Sequence, residues 1–566
     1  MVYGRVRSAL SVNGPRILIL HFSRLGDMIQ SLPAVKLLKE DQPESEITYA
    51  GFEESCSLLR HVPQIDRLVT IPLHQFGKVL TEGQVENIHI LDQLIDQTPE
   101  FKDNYGVLLN FTHNWSSSYL SGRIEANEKT GRVYSGNGEV TVSGKWGKYA
   151  FATLKNRTDS RLNLVDFYTG MAGVRHKPVT DYLTVDPEPD RICRDRFLEL
   201  GRNPHKLSIG FQLGASNTRK TWPLKNYAEL GRRLNEDLRA EIILFGSPKE
   251  RTLAEDFRKT ADYAVLDLVG KTTLDELGSF LAQIDLLVSN DTGPMHIAAA
   301  RGTRVVGLFM GTSYFGLTGP YGAGHIVIQS DYPCSPCLKS TACIQPLCRE
   351  SISPDAVVDG VKLALGMDAK TDGDSGAVVY QSCFEENGTC MYRLVGGGEN
   401  DFLKWLASQR ARKAEVGQAL WNRWLGLDKD DGTLNHLSER TLRRTVMEAQ
   451  KACLAMKELY GNGITLCRRI VDEFGRSRPD LRVVQGLSDV LNTVDNALRE
   501  CEGPLSIMRE IHGYYLMETR LCDFPELAGE MLEKYTVLRD TLSSFENTLQ
   551  EIHADKKESP ENSLTS

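Results

Sequence analysis

Residues 288–302 read VSNDTGPMHIAAARG, an apolar run that breaks into a crowd of polar groups before an Ala-rich stretch. The run that ends there, IDLLVSN, reads as a buried strand, and PMHIAAARG reads as the helix that follows it. Pro294 suits the first turn of that helix, where its missing N–H is no loss. In open α/β sheets ligands bind beyond the carboxyl ends of the strands, and this junction brings Asn290, Asp291, Thr292 and Gly293 to that edge. A helix start offers unpaired N–H groups and the positive end of a dipole, which favours a phosphate. His296, one turn on, would add a donor to the same anion. The alternative is that Asp291 or Thr292 simply caps the helix.

The same strand-then-helix alternation runs outward in both directions. Between about Pro187 and Gly366 the strands are KLSIGFQL, AEIILFGS, AVLDLVG, IDLLVSN, RVVGLFM and HIVIQS. Between Arg16 and about Asp186 they are RILILHF, EITYAGF, DRLVTIPL and YGVLLNF, with a helix over DMIQSLPAVKLLKED. Alternation of this kind predicts two α/β domains in tandem, 1–186 and 187–366, each a parallel sheet covered by helices. The Gly- and Asp-rich stretch 367–400 reads as a linker with one small hairpin. From 401 to 555 the pattern is helical. Leu442, Val446, Ala449, Cys453, Met456, Tyr460, Gly463, Cys467, Ile470 and Phe474 step by fours and threes. Val484 to Leu498 and Met531 to Ile552 carry similar seams. Such stripes pack as a bundle or coiled coil, or are closed by another copy or a partner. The polar tail 556–566 reads as disordered.

A chain of 566 residues exceeds what one core holds, so several domains are expected. Against 66 Lys and Arg stand 75 Asp and Glu, a net charge of -9, which excludes nucleic-acid binding by a global basic field. The apolar run near the amino end is too short for a signal segment or a membrane span, so a cytoplasmic protein is expected. Twelve cysteines, mostly scattered, fit reduced thiols better than a secreted disulfide scaffold. Four of them, Cys334, Cys337, Cys343 and Cys348, are spaced C-x2-C-x5-C-x4-C. Thiolates this close could form a tetrahedral structural site for zinc or iron, with free thiols or a disulfide as the alternatives. Cys383 and Cys390 could pair across a hairpin.

Two further loops of the second domain match the first in character. GASNTRKTWP brings Ser216, Thr218, Arg219 and Lys220 to the sheet edge, and SPKERTLAE puts Glu250 at a helix start. Together the three loops hold cations for phosphates, a carboxylate for ribose hydroxyls and a helix start for anchoring. In the first domain RILILHFSRLGDMIQ sets Ser23, Arg24, Gly26 and Asp27 at the strand-to-helix turn. Gly26 permits close approach of another group, and Asp27 is either a helix cap or a reactive carboxylate. The turn lacks the G-x-G-x-x-G fingerprint, which counts against a nicotinamide or flavin enzyme.

Taken together, HFSRLGDMIQSLPAVKLLKE, GASNTRKTWPLKNYAELGRRL, ILFGSPKERTLAE and VSNDTGPMHIAAARGTRVVGLF resemble glycosyltransferase family 9, the ADP-heptose:lipopolysaccharide heptosyltransferases, over residues 15 to 366. The resemblance implies a GT-B fold of two facing Rossmann-like domains, the first for the acceptor and the second for the nucleotide sugar. It implies inverting, metal-independent transfer of heptose or a similar sugar from an ADP-sugar to a hydroxyl. Asp27 would be the general base, with Ser23, Arg24 and Gly26 beside it on the acceptor side. Lys220 would stabilise the leaving phosphate, with Ser216 and Thr218 near it. Glu250 would hold the ribose, and Asp291, Thr292, Gly293 and His296 the diphosphate and donor sugar. The acceptor would be a lipopolysaccharide-type glycan, reached at the cytoplasmic face of the inner membrane by peripheral association. Asn110 stands where the family often has an acidic residue, and the helical region 401–555 departs from the family pattern. The first leaves the identity of the acceptor open, and the second points to a specialised acceptor, a protein among the candidates, or to a different assembly. Two alternatives are a non-catalytic binding or assembly protein on this fold, with the helical domain as partner module, and a nucleotide-sugar epimerase recruiting His21 or His113.

Overall fold

The computed structural model describes residues 14–82, 88–135, 140–144, 146–147, 162–183, 187–332, 335–337, 343, 346–369 and 377–397, and, further on, 456–462, 464–469, 535–536, 539–540 and 543. The chain divides into two compact units, Met1–Gly147 with Arg161–Leu406, and Lys148–Ser160 with Ala407–Ser566. The first unit holds two sheets.

The first sheet contains β1 (Arg16–Leu20), β2 (Glu46–Phe52), β3 (Arg67–Ile71), β4 (Tyr105–Asn110), β5 (Ala126–Tyr134) and β6 (Val140–Ser143), in the order β3-β2-β1-β4-β5-β6. β1 to β5 run parallel, with Ile17 level with Ile47 on one side and Val107 on the other. β1 is buried along nearly all its length, as a strand covered by helices on both faces must be. β6 turns back antiparallel against β5, so the stretch from 126 to 143 that breaks the helix-strand alternation is a hairpin at the sheet edge. The helices α1 (Leu25–Asp41), α2 (Trp115–Arg123) and α3 (Leu164–Met171) follow their strands.

The second sheet contains β7 (Ser208–Gln212), β8 (Glu241–Phe245), β9 (Val265–Asp267), β10 (Leu286–Asn290), β11 (Arg304–Phe309), β12 (Ile326–Ser330), β13 (Ala377–Phe384) and β14 (Cys390–Gly397). Their order is β14-β13-β12-β11-β10-β7-β8-β9. The helix α4 (Leu224–Leu238) shows why the layers hold. Tyr227, Ala228, Leu230, Gly231 and Leu234 are buried, the three-and-four spacing of one helical face. On the opposite face Arg232 pairs with Glu229 and Glu236. The chain leaves α4 through Arg239, which adopts the left-handed conformation at φ 53. The helices α5 (Gly293–Ala300) and α6 (Pro354–Ala364) pack on the same sheet.

Within 367–400, read as a linker with one small hairpin, residues 377–397 form a hairpin that joins the second sheet. β13 lies antiparallel on β12, with Val327 level with Tyr380, and β14 pairs back on β13. Cys383 faces Met391 and Cys390 faces Phe384 across this hairpin, so the two thiols fall on opposite faces and both are free. A disulfide between them is ruled out by the register.

In the second unit, 456–462 and 464–469 are helical. Met456, Tyr460, Ile464 and Cys467 are buried, and the Tyr460 ring lies 5.8 Å from that of Tyr535. The rest of the expected seams and the tail 556–566 lie outside the described residues.

Candidate functional site

Each sheet has one point where the strand order reverses, between β1 and β4 in the first and between β7 and β10 in the second. A crevice opens at such a point, because the connections leave on opposite faces. The turn after β1 carries Ser23 to Asp27. The loop after β7 carries Ser216 to Lys220, and the turn after β10 carries Asp291 to Gly293. Topology alone therefore sends these expected residues to the two crevices.

The two crevices meet. A methyl group added at Gly26 would sit 2.8 Å from His296 Cδ2 and 3.7 Å from Gly293 Cα. One added at Gly293 would lie 3.3 Å from Leu25. The amino ends of α1 and α5 thus abut, and only glycine lets them approach so closely.

Asp27 is the third residue of α1 and is half-buried. It does not serve as the N-cap; Arg24 holds that position without a side-chain bond. Burial, and next the nearby Asp291, push the Asp27 carboxyl up to about 6, against the pull of Arg24 and Lys220 and a hydrogen bond from the Arg24 backbone. Such a carboxylate is more basic than usual while still ionised at neutral pH.

Across the junction the Lys220 ammonium donates to Asp291 Oδ2 at 2.6 Å, with both side chains largely buried. Thr292 is the N-cap residue of α5 but makes no capping bond; its hydroxyl pairs with that of Ser289 at 3.2 Å. The first turn of α5 is therefore not closed by its own cap. His296 is buried, and burial pushes its imidazole down to about 4, so it is neutral. Its Nδ1 has no hydrogen-bond partner among the described residues.

Glu250 follows β8. Its Oε1 accepts from Gln212 Nε2 at 2.9 Å, and its Oε2 accepts from the backbone and hydroxyl of Ser247 in a capping box. Gly214 makes room for it, since a methyl there would lie 1.7 Å from Oε1. Ser216 and Thr218 are exposed on the loop before Lys220. Ser23 is half-buried and Arg24 exposed at the start of α1.

One residue that the sequence reading gave no separate role holds the site together. Asn290 is fully buried, and its amide donates to the carbonyls of Gln212, Leu213 and Gly214. Its Oδ1 accepts from the Trp222 backbone at 2.9 Å. It thus pins both ends of the Lys220 loop to the end of β10. An Asn closing a buried apolar strand was the available signal, because such a side chain must find several partners.

Asn110, singled out as a departure on the acceptor side, is buried and donates to the Arg132 carbonyl at 2.8 Å while accepting from the Thr112 backbone. It fastens β4 to β5. Burial pushes His21 down to about 3 and His113 down to about 4, so neither is a charged acid at neutral pH.

Of the four-cysteine cluster, Cys348 is buried, Cys337 half-buried and Cys343 exposed, and Cys334 lies outside the described residues. Among the described residues no group of three or more His, Cys, Asp or Glu side chains could hold a metal ion. Nor is any described helix long and apolar enough to cross a membrane.

Residues 100–347 match the profile of glycosyltransferase family 9 (heptosyltransferase). Lipopolysaccharide heptosyltransferase 1 of Pseudomonas aeruginosa is 34% identical over 339 residues, which is 58% of this chain and 88% of that protein. Lipopolysaccharide core heptosyltransferase OpsX of Haemophilus influenzae is 25% identical over 295 residues, 51% of this chain and 78% of its own. Among solved structures, a family 9 glycosyltransferase from Veillonella parvula superposes with a TM-score of 0.50 at 22% identity, covering 63% of this chain and 99% of that one.

Proposed function

Since the chain belongs to glycosyltransferase family 9 and is a glycosyltransferase, we propose that it moves heptose from ADP-heptose to a hydroxyl of a lipopolysaccharide-type glycan, with inversion and without a catalytic metal. The observation that carries this reading is the abutment of α1 and α5, which gathers Asp27, Lys220, Asp291 and His296 at one junction.

Asp27 takes the proton of the acceptor hydroxyl as that oxygen attacks the anomeric carbon. The bond from that carbon to the diphosphate breaks on the opposite face, so the configuration inverts. Negative charge grows on the departing ADP, and the Lys220 ammonium and the uncapped start of α5 stabilise it. Asp291 holds Lys220 in place before the diphosphate arrives. His296, neutral and with a free Nδ1, is suited to a hydrogen bond with the phosphate or the sugar. Glu250 meets the ribose only by sharing the oxygens it now gives to Gln212 and Ser247. Holding both substrates in one cleft replaces a bimolecular encounter by a positioned reaction.

Thermal unfolding with ADP-heptose, ADP and a UDP-sugar tests the donor site. A ligand at 100 times its Kd adds about 2.7 kcal/mol, an increase of a few degrees in Tm. The ADP compounds are expected to raise Tm in the wild type, and Lys220→Ala to abolish most of that increase. A UDP-sugar that stabilises equally well, or no increase with any nucleotide, overturns the reading.

A further inference from the structure

Glu250 accepts more hydrogen bonds than its place at a helix start requires. Its Oε2 accepts from the Ser247 backbone N–H at 2.6 Å and from the Ser247 hydroxyl at 2.8 Å, and both belong to the local cap. Its Oε1 accepts from Gln212 Nε2 at 2.9 Å, and that donor comes from a different strand, 38 positions away.

Gln212 closes β7 and is 3% exposed. Its carbonyl accepts from the Tyr227 hydroxyl at 3.0 Å and from the Asn290 amide at 3.2 Å, so its backbone is held from two sides. An ionised carboxylate only accepts, and the Gln212 side chain must therefore offer Glu250 its nitrogen. The Gln212 Oε1 then turns elsewhere, buried and with no partner among the described residues. A leucine at this strand position would leave no acceptor stranded. The unpaired oxygen marks what the strand gives up to keep a donor against Glu250.

The number of donors limits what Glu250 can read. A carboxylate offers about four acceptor positions, two on each oxygen. Ser247 fills both on Oε2, and Gln212 fills one on Oε1. One position remains, on Oε1. That oxygen faces the loop leading to Lys220, since a methyl at Gly214 would lie 1.7 Å from it, and Glu250 is only half-buried. The two hydroxyls of a ribose are neighbours, and a carboxylate with both oxygens free can take one on each. Glu250 has no position on Oε2 for the second. We propose that Gln212 is a positioning residue that occupies half of Glu250 Oε1, so that the site reads one ribose hydroxyl and leaves the other unread.

This role of Gln212 rests on Glu250 facing the ribose of an ADP-sugar, as proposed above, and one experiment separates the two. Isothermal titration calorimetry on the full chain compares ADP with its 2′-deoxy and 3′-deoxy forms. In the wild type one analogue is expected to bind within about twofold of ADP and the other about tenfold or more weakly, as loss of a hydrogen bond to a charged group implies. In Gln212→Leu a second position on Oε1 opens, and the analogue that matched ADP is expected to fall about tenfold below it. A merely structural residue would weaken ADP and both analogues alike and leave their ratios unmoved. In Glu250→Ala both analogues are expected to match ADP. Equal weakening of the two analogues in the wild type, weakening of neither, or wild-type ratios in a folded Gln212→Leu or Glu250→Ala overturns the proposal. Failure of ADP itself to bind the wild type overturns the donor-site reading, and this role of Gln212 falls with it.

Discussion

At Asp27 burial and Asp291, which favour the neutral acid, outweigh Arg24 and Lys220, which favour the carboxylate. Two outcomes follow at the scale of this one residue. Because the base works only when deprotonated, kcat/KM should fall as pH drops through about 6 and level off above it; a pH–rate profile checks this. A carboxyl whose folded pKa lies above its unfolded value binds its proton more tightly in the native state. Its contribution to stability is therefore full at low pH and lost as pH rises from about 3.8 to about 6. Asp27→Asn removes that loss. At pH 8 it is expected to lower kcat by about 10²–10⁴-fold while raising stability by up to about 2 kcal/mol, which activity and denaturant titrations read separately. Asp27 was legible in the sequence as a carboxylate at a sheet edge. Its elevated pKa was not, because that depends on Asp291, 264 positions away in the chain and brought near only by the fold.

At the scale of elements, the meeting of α1 with α5 and the tie between β7 and β10 are the features that matter. Gly26→Ala would drive a methyl into the His296 ring. It is expected to cut kcat/KM by more than about tenfold, as a misplacement near 1 Å can, with far-ultraviolet circular dichroism unchanged. Asn290→Ala removes the amide that serves the carbonyls of Leu213 and Gly214 and the Trp222 N–H. A loss of about 2–4 kcal/mol is expected from a buried network of this kind, seen as a lower urea midpoint. The strands themselves were plain from their apolar runs, since a parallel strand buried on both faces has little else in its sequence. The pairing of the hairpin β13–β14 with the second sheet was not. Its residues, AVVYQSCF and CMYRLVGG, are flanked by Gly and Asp, and its partner β12 lies some fifty residues upstream. Local pattern gives a hairpin there, but only the tertiary pairing with β12 makes it part of the sheet.

For the first unit as a whole, that hairpin does more than extend a sheet. Asn163, at the start of α3, donates to the Gly319 carbonyl and to the Tyr392 hydroxyl, and Asp166 Oδ2 accepts from the Cys390 backbone at 3.3 Å. Gly388 lies so close to His176 and Lys177 that a methyl would meet their backbone at 2.7 Å. Burial raises the Asp166 carboxyl well above its ordinary value, against the pull of the hydrogen bonds from the backbone, and its Oδ1 has no partner among the described residues, so burial favours the protonated acid. Stability is expected to decline as pH rises above about 3.8 toward the raised folded value, and Asp166→Asn to flatten that decline; urea midpoints at pH 4 and pH 7 are the measurement. The same contact also sets a timetable for synthesis. A ribosome releases β1 to β6 and α3 long before residues 377–397, so the groups on α3 that β14 will satisfy wait, solvated, through more than two hundred further residues. The nascent chain can shape each half early, yet it gains its final fastening only when the hairpin emerges. A stalled or truncated product ending before Ala377 would carry the whole row of reacting groups and lack the strap that holds the two halves to each other.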